Sequence, residues 1–149
     1  MRFPLILVVL ALAACASAPS RGNRPATFVE TTAEGRSTRV IDVREGITKA
    51  TALKTLTDVL GEKTYTVEVT DARAGFVMTA WLASLVRDGV PDLRYRTRFV
   101  GRFVGDDWRK LQLRHEANWA RGDEWDVGYD ATQLDAVSKE LAARLGRRP

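Results

Sequence analysis

Apolar and polar residues alternate with a period of two along four stretches in the middle of the chain. Such alternation is typical of strands that bury one face of a sheet and expose the other. Turn residues, including Gly75, Gly89 and Gly105, separate the stretches from one another. The pattern therefore predicts a meander of four antiparallel strands, over residues 63–71, 76–83, 93–99 and 110–114.

The phase of the alternation predicts which side chains of this meander face the core. The inward positions are expected to be the mainly apolar ones, and the charged residues between them are expected on the solvent side. In the first two stretches the inward residues are Tyr65, Val67 and Val69, followed by Phe76, Met78, Ala80 and Leu82. In the last two they are Leu93, Tyr95, Thr97 and Phe99, followed by Leu111 and Leu113.

Two segments have the spacing of amphipathic helices, in which apolar residues recur every three or four positions. The first covers residues 47–60 and is followed by Gly61, a typical C-terminal stop. The second begins at Asp130 and Gln133, which have the spacing of a helix N-cap, and its apolar stripe is Leu134, Val137, Leu141 and Leu145. With a short strand over 38–44, the order β-α-β-β-β-β-α predicts an α+β fold in which two helices pack on one face of an antiparallel sheet of about five strands.

The N-terminus begins with Arg2 and continues with an apolar run over residues 3–14. That length is typical of the core of a signal peptide and is shorter than the roughly 20 residues that a membrane-spanning helix needs. The run ends in Leu12-Ala13-Ala14-Cys15, which resembles the lipobox of bacterial lipoproteins. The resemblance implies cleavage before Cys15 and acylation of its thiol. Since Ala16 rather than aspartate follows, it also implies the outer membrane of a Gram-negative bacterium, on the periplasmic face.

Cysteine usage agrees with this interpretation, because Cys15 is the only cysteine of the chain and an exported protein with one cysteine forms no internal disulfide. The alternative is an ordinary secretory signal, with cleavage after Ala14, Ala16 or Ala18. Small and polar residues continue to about residue 26 and predict a flexible tether. The predicted segments are a signal peptide over 1–14, the lipidated cysteine and tether over 15–37, and one α+β domain over 38–149.

The net charge of +4 is concentrated near the N-terminus. Three of the 23 basic residues, Arg2, Arg21 and Arg24, precede Ala26, so that 20 basic and 19 acidic residues remain from there onward. A nearly neutral domain lacks the basic surface of a nucleic-acid-binding protein. We therefore expect no nucleic-acid partner.

The stretch from Thr48 to Trp81 contains a helix with Ala and Leu positions, a Tyr-Thr-Val-Glu-Val strand, an Asp-Ala-Arg-Ala-Gly turn and a Phe-Val-Met-Thr-Ala-Trp strand. In this order the chain resembles the helix-grip modules of small bacterial envelope lipoproteins. These include the domains of the lipoprotein subunit of the outer-membrane β-barrel assembly machinery. The chain contains one such module.

Catalytic chemistry has little support in the sequence. His115 is the only histidine, and its phase with Leu111 and Leu113 favours a residue at the edge of the core over a catalytic base. With Cys15 acylated, a metal site built from histidine and cysteine is not available. Motifs for a serine nucleophile or for phosphate binding are absent. We therefore expect no enzyme activity, no cofactor and no metal site.

One cluster of carboxylates leaves a glycosidase open as an alternative, because such enzymes use two carboxyl groups near aromatic residues that stack on sugars. The cluster consists of Asp123, Glu124, Asp126 and Asp130, close to Trp119 and Trp125. Acidic residues ahead of a helix are more often solvated, and Asp130 already has a capping role. We interpret residues 117–128 as a loop or a frayed strand end.

The outward face of the predicted sheet combines tryptophan with arginine. Its candidate binding residues are Trp81, Arg94, Arg96, Arg98 and Trp108. Tryptophan and arginine are typical of the hot spots of protein interfaces, and they can also stack on sugars or bind anionic groups. The alternative is a solvated face, whose arginines pair with Glu68 and neighbouring carboxylates and whose side-chain stems cover the indoles.

The sequence thus predicts a non-enzymatic lipoprotein, held to the membrane by its lipid anchor, that supports or binds another protein of the envelope. The alternative is a module that binds peptidoglycan or another anionic glycan, using Trp81, Trp108 and the arginines.

Overall fold

The computed structural model describes residues 24–31 and 37–146. The predicted signal peptide and Cys15 lie outside the described residues. None of the described helices is long and apolar enough to cross a membrane. The elements are β1 (Phe28–Glu30), β2 (Thr38–Asp42), α1 (Lys49–Glu62), β3 (Val67–Asp71), β4 (Phe76–Thr79), β5 (Val86–Arg87), β6 (Val90–Pro91), β7 (Tyr95–Val104), β8 (Lys110–Arg121), β9 (Glu124–Asp130) and α2 (Ala131–Leu145).

Seven of the described strands form one antiparallel sheet. Six of them lie in the order β1-β9-β8-β7-β4-β3, and the seventh, β2, pairs with β8. β5 and β6 form a separate hairpin. The twelve-residue β8 pairs with β7 from Lys110 to Trp119 and carries two partners in succession along its other edge, first β2 and then β9. The α+β class, the antiparallel sheet and the two helices are confirmed, whereas the sheet has more strands than the five expected.

One additional strand comes from residues 117–128, so the prediction of a loop or a frayed strand end there was wrong. β8 continues to Arg121 and turns at Gly122, whose φ of +66° suits glycine, into β9. The inward positions of this hairpin include Ala117 and Gly128, which pair with each other. Because these two residues are so small, the alternation is not visible as hydrophobicity in the sequence.

A second additional strand, β1, lies within the segment expected to be a tether, so the domain begins before the predicted boundary at residue 38. Phe28 is buried, and its ring lies edge-on to Tyr95 with 6.2 Å between the ring centres. A Cβ atom at Gly128 would lie only 2.2 Å from the carbonyl oxygen of Val29, so β1 packs closely against β9. Three residues are too few to produce a recognisable period in the sequence.

Both helices pack against the same face of the sheet, which we term the inner face. Each begins at a side-chain cap: the Thr48 hydroxyl accepts from the Thr51 amide at 3.1 Å, and the Asp130 carboxylate accepts from the Gln133 amide at 3.0 Å. The predicted stripe of α2 is buried throughout. Burial of each large apolar side chain contributes about 1.5–3 kcal/mol, so this layer dominates the stability of the fold. Its completely buried members include Leu56, Leu60, Phe99, Leu111, Leu113, Leu134 and Leu141.

Two strands have a different phase from the predicted one. A register shift between Val67 and Val69 turns Val69 outward, where 39% of its surface is exposed. In β4 the inward residues are Val77 and Thr79, both fully buried, instead of Phe76 and its phase partners. Because β4 is apolar on both faces, hydrophobicity does not determine its phase.

Candidate functional site

The candidate site lies on the outer face of the sheet, opposite the face that the two described helices cover. In β7 the residues Tyr95, Thr97 and Phe99 are buried, so that Arg96 and Arg98 between them point outward, as predicted. The alternation of arginine with aromatic or β-branched residues is strict there. The orientation of these two arginines therefore follows directly from the sequence.

The structure brings both arginines against tryptophan rings. The guanidinium carbon of Arg96 lies 4.7 Å from the centre of the Trp81 ring and 4.2 Å from that of Trp125. The guanidinium carbon of Arg98 lies 4.5 Å from the Trp81 ring. These distances are within the range of cation–π interactions. We refer to Trp81, Arg96, Arg98 and Trp125 as the Trp–Arg cluster.

Trp125 was not among the predicted binding residues. It pairs with Ala120 across the β8–β9 hairpin, at an outward position of the sheet. Continuing the period of two through Ala117 and Trp119 as one strand would have placed Trp125 on the inner face, and only the two-residue turn between β8 and β9 brings it to the face of the arginines. The signal that could have located Trp125 is therefore the turn at Gly122 and Asp123, and not the alternation along β8.

The two arginines of the cluster differ in how their charge is balanced. Arg98 forms an ion pair with its cross-strand neighbour Glu116, with 2.6 Å between Nε and Oε2, and Arg114 contacts the other oxygen of Glu116 at 2.5 Å. Arg96 has no carboxylate partner among the described residues, and its Nε is buried without a hydrogen-bond acceptor. Arg96 is therefore a stacked cation whose hydrogen-bonding capacity is not used within the described structure.

Arg94 does not belong to the cluster. Its guanidinium forms an ion pair with Asp92 at 2.8 Å and lies 5.4 Å from the ring centre of Trp119. The hydrogen bonds from Arg94 hold the pKa of the Asp92 carboxyl well below its usual range. Because Arg94 lies in the turn before β7, it is outside the strand alternation, and it covers the buried Trp119 instead.

The prediction that Trp108 lies on the outer face was wrong. Its side chain is 5% exposed and stacks on Phe103, with 4.9 Å between ring centres and 9° between ring planes. Trp108 lies in the turn before β8 with a φ of +54°, so the alternation of the strand does not apply to it. A Cβ atom on Gly75 would lie 2.8 Å from this indole, which shows how closely the turn packs.

Apolar side chains extend the outer face beside the cluster. Phe76 and Met78 of β4 and Val100 of β7 are partly buried there, and Met78 pairs directly with Val100. Val69 and Val127 add exposed apolar area on the flanking strands β3 and β9. The outer face thus combines an apolar surface with an arginine held between aromatic contacts.

The carboxylates that suggested a glycosidase do not form a pair across a cleft. Glu124 and Asp126 both contact the guanidinium of Arg121, at 3.2 Å and 3.3 Å. Asp123 is exposed in the hairpin turn, and Asp130 is buried at the start of α2. Each of these carboxylates forms an ion pair, accepts a hydrogen bond at the start of a helix, or is exposed to solvent, and none is paired with a second carboxylate for acid–base chemistry in the described structure.

His115 lies on the core side of the sheet, as expected from its phase, but it is inside the core and not at its edge. Its ring is fully buried beside Phe99, at 4.4 Å between ring centres, and Nδ1 accepts a hydrogen bond from the Asp130 amide at 3.0 Å. Burial lowers the pKa of His115 to about 4, so the ring is neutral at physiological pH. Within residues 24–31 and 37–146 there is no group of three or more His, Cys, Asp or Glu side chains placed to hold a metal ion.

Comparison with known proteins does not assign the chain to a family. No protein-family model matches it, and no match was found among the curated proteins. The functional argument therefore rests on the outer face, where an arginine without a carboxylate partner, two indoles and neighbouring apolar side chains form one continuous surface.

Proposed function

We propose that the protein is a non-enzymatic lipoprotein of the outer membrane, facing the periplasm, that binds an envelope protein through the outer face of its sheet. The observation that carries this proposal is the arrangement of Arg96. Its guanidinium contacts the rings of Trp81 and Trp125, and none of the described carboxylates pairs with it.

Stacking prepares Arg96 for binding in two ways. Contact with two indoles restricts the side chain before a partner arrives, which reduces the entropy lost on association. The planar guanidinium can still donate hydrogen bonds from its edge, in a geometry that suits a carboxylate or a backbone carbonyl group. An acidic or carbonyl-rich segment of a partner protein would accept hydrogen bonds from this edge of the guanidinium group.

The surroundings of the cluster favour a protein over a glycan. Phe76, Met78 and Val100 provide the apolar contact area that surrounds hot-spot tryptophan and arginine residues in protein interfaces. A sugar would need a free indole face for stacking, yet the Trp81 ring is contacted by two guanidinium groups. We therefore place the peptidoglycan alternative second.

Charge reversal at Arg96 is expected to abolish partner binding. A photo-crosslinking side chain at position 100 should capture a discrete envelope protein in cells, and Arg96→Glu or Trp81→Ala should reduce the yield by at least about tenfold, as expected for hot-spot residues. Arg73→Glu makes the same charge change in the exposed β3–β4 turn and should leave the yield unchanged. Circular dichroism establishes that each variant is folded.

Two results would contradict this use of the outer face. Equal crosslinking in the Arg96→Glu, Trp81→Ala and Arg73→Glu variants would mean that the cluster is a solvated surface. Sedimentation of the protein with purified sacculi, lost in Arg96→Glu, would instead support the glycan alternative.

The anchor is tested separately from the binding face. A fatty-acid analogue should label the wild-type protein and should not label Cys15→Ser, because the thiol is the proposed acylation site. The label is read by gel fluorescence, and mass spectrometry gives the mature N-terminus. Absence of label on the wild type, with a mature chain that begins after Ala16 or Ala18, would show an ordinary secretory signal.

A further inference from the structure

A cavity of about 340 Å³ opens on the inner side of the molecule, between the end of α1, residues 82–86 and the first two turns of α2. It shares no residue with the Trp–Arg cluster. Its volume lies in the lower part of the range of small-molecule sites, about 300–1,000 Å³. The cavity is therefore large enough for a ligand rather than for a single water molecule.

The walls of the cavity are mostly apolar. Leu82 and Val86 line one side, and Ala136 and Val137 of α2 line the other. Leu82 is held in place by two backbone hydrogen bonds with Thr97, at 2.8 Å and 2.9 Å. An aliphatic group would be removed from water here without any large rearrangement of the surrounding chain.

A few polar groups interrupt these apolar walls. The hydroxyl oxygen of Ser84 has no hydrogen-bond partner among the described residues, but it is buried out of reach of solvent and does not open onto the cavity. The Tyr65 hydroxyl, in contrast, bonds to Thr97 Oγ1 at 2.7 Å and to the Gln133 side chain. Neither of these two hydroxyl groups is therefore free to bind a ligand in the cavity.

Lys63 carries the one formal charge among the described residues that line the cavity. Lys63 belongs to the lining, is exposed, and forms no ion pair within the described part of the chain, and none of the described lining residues is acidic. A ligand with a negative group at one end would be attracted by Lys63, while a cationic ligand would find no counterion. The ligand chemistry is thus anionic at one end and aliphatic along the rest.

We infer that this cavity binds a small aliphatic carboxylate, a molecule of the fatty-acid class. Its chain lies against Leu82, Val86 and Val137, and its carboxylate is neutralised by Lys63. This inference does not depend on the proposed function of the outer face.

The test uses the full chain with Cys15→Ser, which keeps every other residue and carries no acyl chain of its own. Isothermal titration calorimetry with octanoate, decanoate and dodecanoate should show saturable binding that tightens with chain length. Decanol, which has the chain without the charge, should bind at least about tenfold more weakly than decanoate.

Three variants separate the parts of the proposal. Ala136→Trp fills the cavity from an exposed helix position and should abolish binding of decanoate. Lys63→Gln should weaken the binding of decanoate by about tenfold and leave the binding of decanol unchanged. Lys139→Gln, which changes a lysine of α2 outside the lining, should alter the binding of neither compound. Binding that persists in Ala136→Trp, or an equal affinity for decanol and decanoate, would overturn the inference.

Discussion

The free energy of unfolding is expected to fall by about 3 kcal/mol between about pH 8 and pH 4 because of His115 alone. Burial lowers the pKa of this histidine from 6.5 in an exposed chain to about 4 in the folded protein. Between these values the unfolded chain binds a proton that the folded protein does not. The stabilisation that comes from the neutral His115 ring is therefore complete above about pH 7, and it is lost as the pH falls through 6.5 toward 4.

The surroundings of His115 explain the direction of this shift. The ring is fully buried, Nε2 has no hydrogen-bond partner among the described residues, and Nδ1 already accepts from the Asp130 amide. Protonation at Nδ1 would place the new N–H of the ring against the N–H of Asp130, and the hydrogen bond between them would be lost. The nearby Asp130 and Glu116 carboxylates and the Gln133 side chain act in the opposite direction and favour the charged ring, but burial is the largest effect.

Urea denaturation at a series of pH values measures this contribution. The matched variant is His115→Asn, whose amide oxygen can replace Nδ1 as acceptor and which does not titrate. Asp71 and Asp107 also have lowered pKa values, from backbone and arginine hydrogen bonds respectively, and they cause a loss at more acidic pH in both proteins. The wild-type profile should therefore be steeper than the variant profile between about pH 7 and pH 5. Parallel profiles would contradict the assignment to His115.

The parts of the fold that the sequence predicts well are those with one strong local signal. The helix start at Asp130 follows from a side chain that suits a cap, and the orientation of Arg96 and Arg98 follows from charged residues that cannot be buried unpaired. In both places, local chemistry and tertiary packing favour the same arrangement.

The errors occur where local patterns allow two arrangements. β4 is apolar on both faces, so only its pairing with β7 determines that Val77 faces the core. Trp108 is turned inward by a positive φ that no alternation predicts. For the candidate site, the sequence identified Trp81, Arg96 and Arg98, while Trp125 became part of it only through the register of β8 with β9. The register of this hairpin, together with the pairing of β7 with β8, completed the cluster.

Asp130→Ala is expected to lower the free energy of unfolding by about 4 kcal/mol, because the carboxylate is more than a helix cap. It accepts from the Gln133 amide at 3.0 Å, from the Thr27 hydroxyl at 2.6 Å and from the Tyr95 hydroxyl at 3.0 Å. Burial and the Asp130 carboxylate raise the pKa of Tyr95, so its phenol remains a donor. The alanine variant loses the cap and leaves two hydroxyl groups without this acceptor.

Two comparisons show which of these contacts matters. Asp130→Asn keeps an oxygen for the helix cap, so it should lie between the wild type and the alanine variant. Asp135→Ala removes an exposed carboxylate that pairs with Arg39, and it should cost less than about 1 kcal/mol. Chemical denaturation measures all three, and equal losses in Asp130→Ala and Asp135→Ala would contradict the prediction.

Hydrogen exchange then separates the cap from the attachment of β1, because Asp130 joins them. Thr27 bonds to the carboxylate through its hydroxyl, and its carbonyl accepts from the Ala131 amide at 3.0 Å, next to the buried Phe28. If the carboxylate holds this segment against α2, exchange of the Phe28 and Ala131 amides should accelerate in Asp130→Ala more than exchange of the Leu113 amide in the centre of the sheet. Uniform acceleration would mean that Asp130 stabilises the fold only as a whole. A selective effect would make Asp130 the residue through which β1, which lies within the predicted tether, is joined to the domain.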